Sequence, residues 1–272
     1  MTAPIRIGIL GCGKMARAMA ARWLAEGACT RDDLRACTAS AAGAQIVRDH
    51  LGIECGTSAA DALEGADLVL LGIKPQQLAD ALPGLATLAR PGQTWLSLLA
   101  GTPTHVLEDG LPQGISVVRC MPNTPARVGQ GVLALCPGAH ATAAAIDTAR
   151  RLLTPLGRVV DVAEPQMDTF TAVAGCGPAY VLLFLEALAQ AARDVGFAAD
   201  DAQAVALQVV LGTAELARRD GRNPEVLRAE VTSKGGVTQA AIAVLEGQGW
   251  PGTLVQAVKA GVARSAELSQ GK

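Results

Sequence analysis

Short apolar runs alternate with segments of helical spacing through the first half of the chain. The runs that read as strands are Ile5 to Leu10, Leu34 to Thr38, Ile53 to Cys55, Leu68 to Leu71, Thr94 to Leu98, Ile115 to Cys120, Gly131 to Cys136 and Arg158 to Asp161. Helical patterns lie between most of them, including Met15 to Glu26, Pro75 to Ala89 and Ala141 to Leu153. This alternation predicts an α/β domain with a doubly wound, mainly parallel sheet that binds ligands at the carboxyl ends of its strands. From about Glu164 the rhythm changes. Met167 to Val195, Asp201 to Arg219, Pro224 to Glu230 and Gln239 to Leu268 are long helix-forming stretches without a convincing strand. The pattern therefore predicts two domains, residues 1–163 and an all-α domain of residues 164–272.

The helical half is apolar on nearly every face. Tyr180 to Leu188 is hydrophobic almost all round, and Ala202 to Leu216 is similar. So short a domain cannot cover these helices alone, which predicts an isologous homodimer formed through the C-terminal helices. Half of the residues are hydrophobic, yet no apolar run reaches the roughly 18 residues expected of a membrane span. The opening residues read as strand and glycine loop rather than a secretory leader, and a cytoplasmic protein is expected. A net charge of −2 and seven aromatics argue against nucleic-acid or anionic-membrane partners. The seven cysteines contain no C-x-x-C and the three histidines are isolated, so no metal is expected.

Two loops carry candidate chemistry. At the N-terminus, an apolar run enters Gly11-Cys12-Gly13-Lys14-Met15-Ala16 and then a helical pattern, the strand, turn and helix of a Rossmann-type dinucleotide site. Gly11 makes the turn, Gly13 lets the backbone approach the phosphates, and Ala16 lets helix and strand pack closely. Near the other end, Ser233-Lys234-Gly235-Gly236-Val237-Thr238 precedes a helical pattern, so free N–H groups and the positive dipole end would face an anion. From that segment alone, an ordinary turn with a capping hydroxyl is the commoner reading, since such caps are frequent before helices.

Further motifs follow predicted strands: Gly72-Ile73-Lys74-Pro75-Gln76, Leu98-Leu99-Ala100-Gly101-Thr102 and Arg119-Cys120-Met121-Pro122-Asn123-Thr124-Pro125. With Gly175-Cys176-Gly177-Pro178-Ala179-Tyr180 and Val231 to Thr238, these blocks run in order over nearly the whole chain, and together the chain resembles the pyrroline-5-carboxylate reductase family. The resemblance implies NAD(P)H-dependent reduction of 1-pyrroline-5-carboxylate, a small cyclic imino acid, to L-proline. It also implies a Rossmann domain followed by interleaved dimerisation helices, often in a larger ring of dimers. By the same resemblance, Ser233, Gly235, Gly236, Val237 and Thr238 bind the substrate carboxylate, and Thr238 hydrogen-bonds the ring nitrogen as the catalytic contact. Gly11, Cys12, Gly13, Lys14, Met15, Ile73, Lys74, Pro75, Ala100, Gly101 and Asn123 are then the expected cofactor contacts, joined by Thr38 and Ser40 after the second strand.

The residue inventory can be weighed against that chemistry. Reduction of a ketone needs a proton donor beside the new alkoxide, usually Lys, His or Tyr. The stretch Met167 to Val195 has neither Lys nor His, and its one Tyr, Tyr180, reads as core packing. A protonated cyclic imine already carries its proton, so positioning and one polar contact suffice. After the second strand, Cys37-Thr38-Ala39-Ser40 lacks the Asp or Glu that accepts from an NAD ribose, which favours NADPH while leaving NADH possible. Ala39 stands where the family often has Arg, Lys14 where Asn is usual, Cys176 where Ser is usual, and Lys234 where Pro is usual. Lys234 adds a positive charge beside the presumed carboxylate site, so a reductase of another cyclic imino acid and a non-catalytic nucleotide-binding protein remain alternatives.

Overall fold

The computed structural model describes residues 5–269, so the outer limits drawn at residues 1 and 272 lie outside the described residues. All eight predicted strands form within a residue or two of their expected places: β1 Ile7–Leu10, β2 Leu34–Cys37, β3 Glu54–Gly56, β4 Leu68–Leu71, β5 Thr94–Ser97, β6 Ser116–Met121, β7 Gly131–Pro137 and β8 Gly157–Asp161. They make one sheet of order β3-β2-β1-β4-β5-β6-β7-β8, parallel except where β7 runs against β6. Between the strands lie α1 Lys14–Ala25, α2 Ala41–Leu51, α3 Ala59–Leu63, α4 Leu78–Leu88, α5 Thr104–Gly110 and α6 Ala143–Leu153.

The central strands are apolar on both faces because helices cover both. Along β4, Leu68 and Leu70 enter one core with Met19, Trp23 and Leu152, while Val69 and Leu71 enter the other with Trp95, Leu107 and Val117. Trp23 is fully buried and its indole N–H donates to the Leu152 carbonyl at 2.6 Å, so a large apolar ring enters the core with its one polar atom paired. Strand order puts β1 beside β4 with β2 on its far side, which opens a crevice at the carboxyl ends of β1 and β4.

Beyond β8 the chain is helical: α7 Met167–Phe170, a π turn at Thr171–Gly175, α8 Gly177–Asp194, α9 Ala199–Asp220, α10 Pro224–Glu230, α11 Val237–Gly247 and α12 Trp250–Ser269. The stretch expected as one helix over Gln239 to Leu268 is two. Pro251 cannot donate to a helix continuing from Gly247, and the chain restarts at Trp250. Packing divides the chain at a different point from the change of rhythm at residue 163: one compact unit runs to Cys176 and regains the chain from Gly261, and the other is Gly177–Ala260.

In the first unit, the buried Arg119 of β6 pairs with Glu164, whose other carboxylate oxygen accepts from the Thr104 N–H at 3.2 Å and from the Cys136 thiol at 3.6 Å. One carboxylate thus ties the turn after β8 to β6, β7 and the start of α5. The end of α12 is held in the same unit, where Ser265 donates to Asp168 at 2.6 Å.

In the second unit, α8 exposes Val181, Leu182, Leu183 and Phe184, α9 exposes Leu207, Val209 and Leu211, and α11 exposes Val244 and Leu245. The helical stretch Glu164–Asp194 is long and apolar enough, by length and composition, to cross a membrane. Counting uninterrupted apolar runs passes over it, because Thr171, Gly175, Gly177, Pro178 and Glu186 break the run while the average stays apolar.

Candidate functional site

The glycine loop lies in the first unit at the crevice between β1 and β4. Gly11 has φ +80, and a side chain there would meet the Ile73 backbone nitrogen at 2.6 Å. Gly72 is equally confined, since a Cβ would sit 2.9 Å from the Gly11 carbonyl oxygen and 3.3 Å from Ala16. The two strand-end turns therefore touch backbone to backbone. A Cβ on Gly13, by contrast, would meet no protein atom within 4 Å. That open side faces a cleft of about 340 Å³ lined by Gly11, Cys12, Gly13, Lys14, Thr38, Ile73 and Lys74 among others.

The donors facing this cleft are narrower than the motif suggests. The N–H groups of Gly11 and Cys12 both donate to the Cys37 carbonyl, at 3.0 and 3.2 Å, which docks the loop on the end of β2. Helix α1 begins after Gly13 with no side-chain cap, so the N–H groups of its first turn, at Lys14, Met15 and Ala16, are left for an outside acceptor. With the helix dipole they suit a pyrophosphate. Cys12 contributes backbone shape only. Its thiol is buried, and burial, reinforced by the neighbouring Cys55, pushes its pKa up to about 12.

Residues placed in the cofactor set by sequence separate into groups. Met15 lines an adjoining cleft with Lys14, Arg17, His50, Thr124 and Arg127. Pro75 opens the short 3-10 turn that follows Lys74. Ala100 is exposed at the end of β5, and Gly101 lies against the backbone of Leu268 and Ser269 from the end of α12.

Thr38 and Ser40 differ most from expectation. Thr38 donates its hydroxyl to the Ser40 carbonyl at 2.9 Å, and Ser40 Oγ caps α2 by accepting from the Gly43 N–H at 3.1 Å. Both side chains organise the turn, and only the Ser40 hydroxyl hydrogen remains for a ligand. A smaller polar recess at Arg6, Asp33, Arg35 and Glu64 contains the Arg35–Glu64 ion pair at 2.7 Å and lies away from the strand carboxyl ends.

Asn123 also takes a role that spacing did not reveal. Its amide Nδ2 donates to the Ala174 carbonyl at 2.9 Å, and its Oδ1 accepts from the Val132 N–H at 3.0 Å. In an α-helix the Ala174 carbonyl would accept from residue 178, but that residue is Pro178 and has no N–H. The buried Asn123 supplies the donor and joins β7 to the π turn. That structural link is a role that spacing did not reveal.

In the second unit, Ser233 to Gly236 form a tight turn in which the Gly236 N–H donates to the Ser233 carbonyl at 3.0 Å and Gly235 has φ +73. Helix α11 then starts at Val237, again without a side-chain cap. The capping-hydroxyl reading of this segment is thereby excluded. Sequence reading missed Gln239, whose Oε1 accepts from the Gly235 N–H at 2.6 Å. The Gly235 and Gly236 amides are thus engaged within the loop. The groups left to meet an anion include the Val237, Thr238 and Gln239 N–H groups and the hydroxyls of Ser233 and Thr238. This segment and Lys234 are exposed, apart from the half-buried Gly236.

Strand order, the uncapped α1 and the cleft free of acidic residues define a dinucleotide-binding protein of the Rossmann class. Comparison with known proteins takes this further. The family described as "Pyrroline-5-carboxylate reductase dimerisation" matches residues 164–268, and "NADP oxidoreductase coenzyme F420-dependent" matches residues 6–101. A pyrroline-5-carboxylate reductase of Synechocystis sp. is 36% identical over 98% of this chain and 99% of its own length. One from Pseudomonas aeruginosa is 36% identical over 97% of each. Among solved structures, the Coxiella burnetii pyrroline-5-carboxylate reductase superposes with a TM-score of 0.89 at 30% identity, covering 97% of this chain and 98% of its own. The chain belongs to the pyrroline-5-carboxylate reductase family.

Asn123→Asp should lower the thermal midpoint, because a carboxylate cannot donate to Ala174 and leaves that buried carbonyl facing negative charge, at a cost of about 2 kcal/mol. Thermal unfolding followed by circular dichroism checks this, and an unchanged midpoint would remove the bridging role from Asn123.

Proposed function

We propose that this chain reduces 1-pyrroline-5-carboxylate to L-proline, with NADPH as the preferred donor and NADH as a poorer one. The nicotinamide, when bound, supplies a hydride. The first unit holds the dinucleotide, with its pyrophosphate on the free N–H groups at the start of α1. The observation that carries the substrate assignment is the exposed, uncapped start of α11 in a chain of this family. The substrate carboxylate accepts from the Val237 and Thr238 amides and the Ser233 hydroxyl. The Thr238 hydroxyl meets the ring nitrogen and holds the imine in one orientation.

This division needs no side-chain acid. The described stretch from Met167 to Val195 carries no Lys or His, and a protonated imine accepts hydride at carbon and becomes a neutral amine without further proton transfer. We assign residues 1–163 to dinucleotide binding and residues 164–272 to substrate binding and dimerisation. A cytoplasmic homodimer, alone or in a ring of dimers, covers the exposed apolar faces of α8, α9 and α11. Gel filtration with light scattering should return at least twice the chain mass; a monomer at micromolar concentration would contradict this.

One observation favours a second substrate reading. Lys234 stands exposed in the turn beside the anion site and would strengthen attraction to a carboxylate whatever ring bears it. NADPH oxidation measured in parallel with pyrroline-5-carboxylate, pyrroline-2-carboxylate and the piperideine carboxylates separates the two readings, and the first compound should be turned over best. Thr238→Ala should lower kcat/KM for it roughly 10- to 100-fold, the loss expected for one hydrogen bond to a charged partner. NADPH affinity should stay within about twofold. An equal loss of NADPH binding would refute the role given to Thr238.

A further inference from the structure

Discrimination between NADPH and NADH is made where the adenosine ribose meets the end of the second strand. In this chain that place offers little to a phosphate. Ala39 brings no polar group, the Thr38 hydroxyl hydrogen is engaged by the Ser40 carbonyl, and Ser40 Oγ is engaged by the Gly43 N–H. Among side-chain groups one hydroxyl hydrogen is left, beside the first amides of α2, for a group carrying between one and two negative charges, which calls for a cation from elsewhere in the fold.

The cleft contains three cations and no carboxylate: Lys14, Arg17 and Lys74. Lys74 follows β4, on the opposite side of β1 from β2. Lys14 opens α1 beside the pyrophosphate donors. Arg17 sits one turn further along α1 and shares the cleft wall with Thr38, Ala39, Gly43 and Ile46, all from the end of β2 and the start of α2. It also borders the adjoining cleft with Arg127 and with His50 of α2, whose lining contains no acid either. The other arginine of α1, Arg22, pairs with Glu26 at 2.9 Å, whereas Arg17 forms no ion pair among the described residues. Half-buried, unpaired and turned toward α2, its guanidinium suits two parallel hydrogen bonds to a phosphate.

We infer that Arg17 binds the 2′-phosphate of NADPH and sets the preference for it over NADH, replacing from α1 the arginine that is absent after β2. This rests on the NADPH reading of the preceding subsection. The test uses fragments of the dinucleotide that undergo no chemistry. Calorimetric titration of the full-length protein with 2′,5′-ADP and with 5′-AMP should show tighter binding of 2′,5′-ADP. In Arg17→Ala, and in Arg17→Met, which keeps the aliphatic stem, affinity for 2′,5′-ADP should fall roughly 10- to 100-fold while 5′-AMP stays within about twofold. Wild-type protein that binds the two fragments alike, or variants that lose both equally or neither, would overturn the assignment. Failure of the wild type to turn over pyrroline-5-carboxylate would sink the substrate reading and leave these titrations as they stand.

Discussion

Two turns on neighbouring strands meet backbone to backbone at Gly11 and Gly72, and the nucleotide cleft depends on that approach. The Gly72 amide donates to the Leu10 carbonyl at 2.7 Å, and neither glycine has room for a Cβ. Because the turns lie so close, α1 starts at the crevice with its first N–H groups directed into open space. Strand order then matters, since β1 feeds a helix toward β2 while β4 continues toward β5, and the separation between these connections is the space a dinucleotide occupies. A methyl group at either glycine would push the loops apart and turn the amide donors off the phosphates.

The second unit solves a different problem with the same device. Helix α11, like α1, lacks a side-chain cap, and in both places the missing cap leaves an acceptor position for a ligand. Four other helices are treated otherwise, since Ser40, Ser58, Thr142 and Asn223 cap α2, α3, α6 and α10 with side-chain oxygens, whereas α4, α5 and α9 also start without one. A missing cap alone therefore marks no site; at α1 and α11 it coincides with a glycine turn of positive φ, at Gly11 and Gly235, and we read the free donors there as places for a pyrophosphate and a carboxylate. The reaction asks for little else, because a protonated cyclic imine brings its proton and needs to be held still.

Much of this was legible in the sequence, and the reasons are physical. The central strands β1 and β4 are visible because buried parallel strands need unbroken apolar runs. The Gly11 loop is visible because its residue types are themselves the steric requirement. Other features depend on partners that spacing does not disclose. Asn123 and Ala174 are 51 residues apart, and their link became readable only when the missing N–H of Pro178 was set beside a spare amide donor. Gln239 entered the sequence reading only as the start of a helical stretch, and its side chain's bond to the Gly235 amide needs the folded turn to be seen. Arg17 gains meaning only once α1 lies along the end of β2. Thr38 and Ser40 illustrate the same limit: a hydroxyl near a candidate site can already be engaged by its own turn, which spacing does not show.

The central claim is that a hydride passes directly from the nicotinamide to the imine carbon of a pyrroline carboxylate held at the start of α11. Its most direct test is a single turnover with NADPH doubly deuterated at nicotinamide C4, followed by mass spectrometry and proton NMR of the product. The account predicts L-proline carrying one deuterium at C5. Unlabelled proline, deuterium at another carbon, or no proline at all would contradict it.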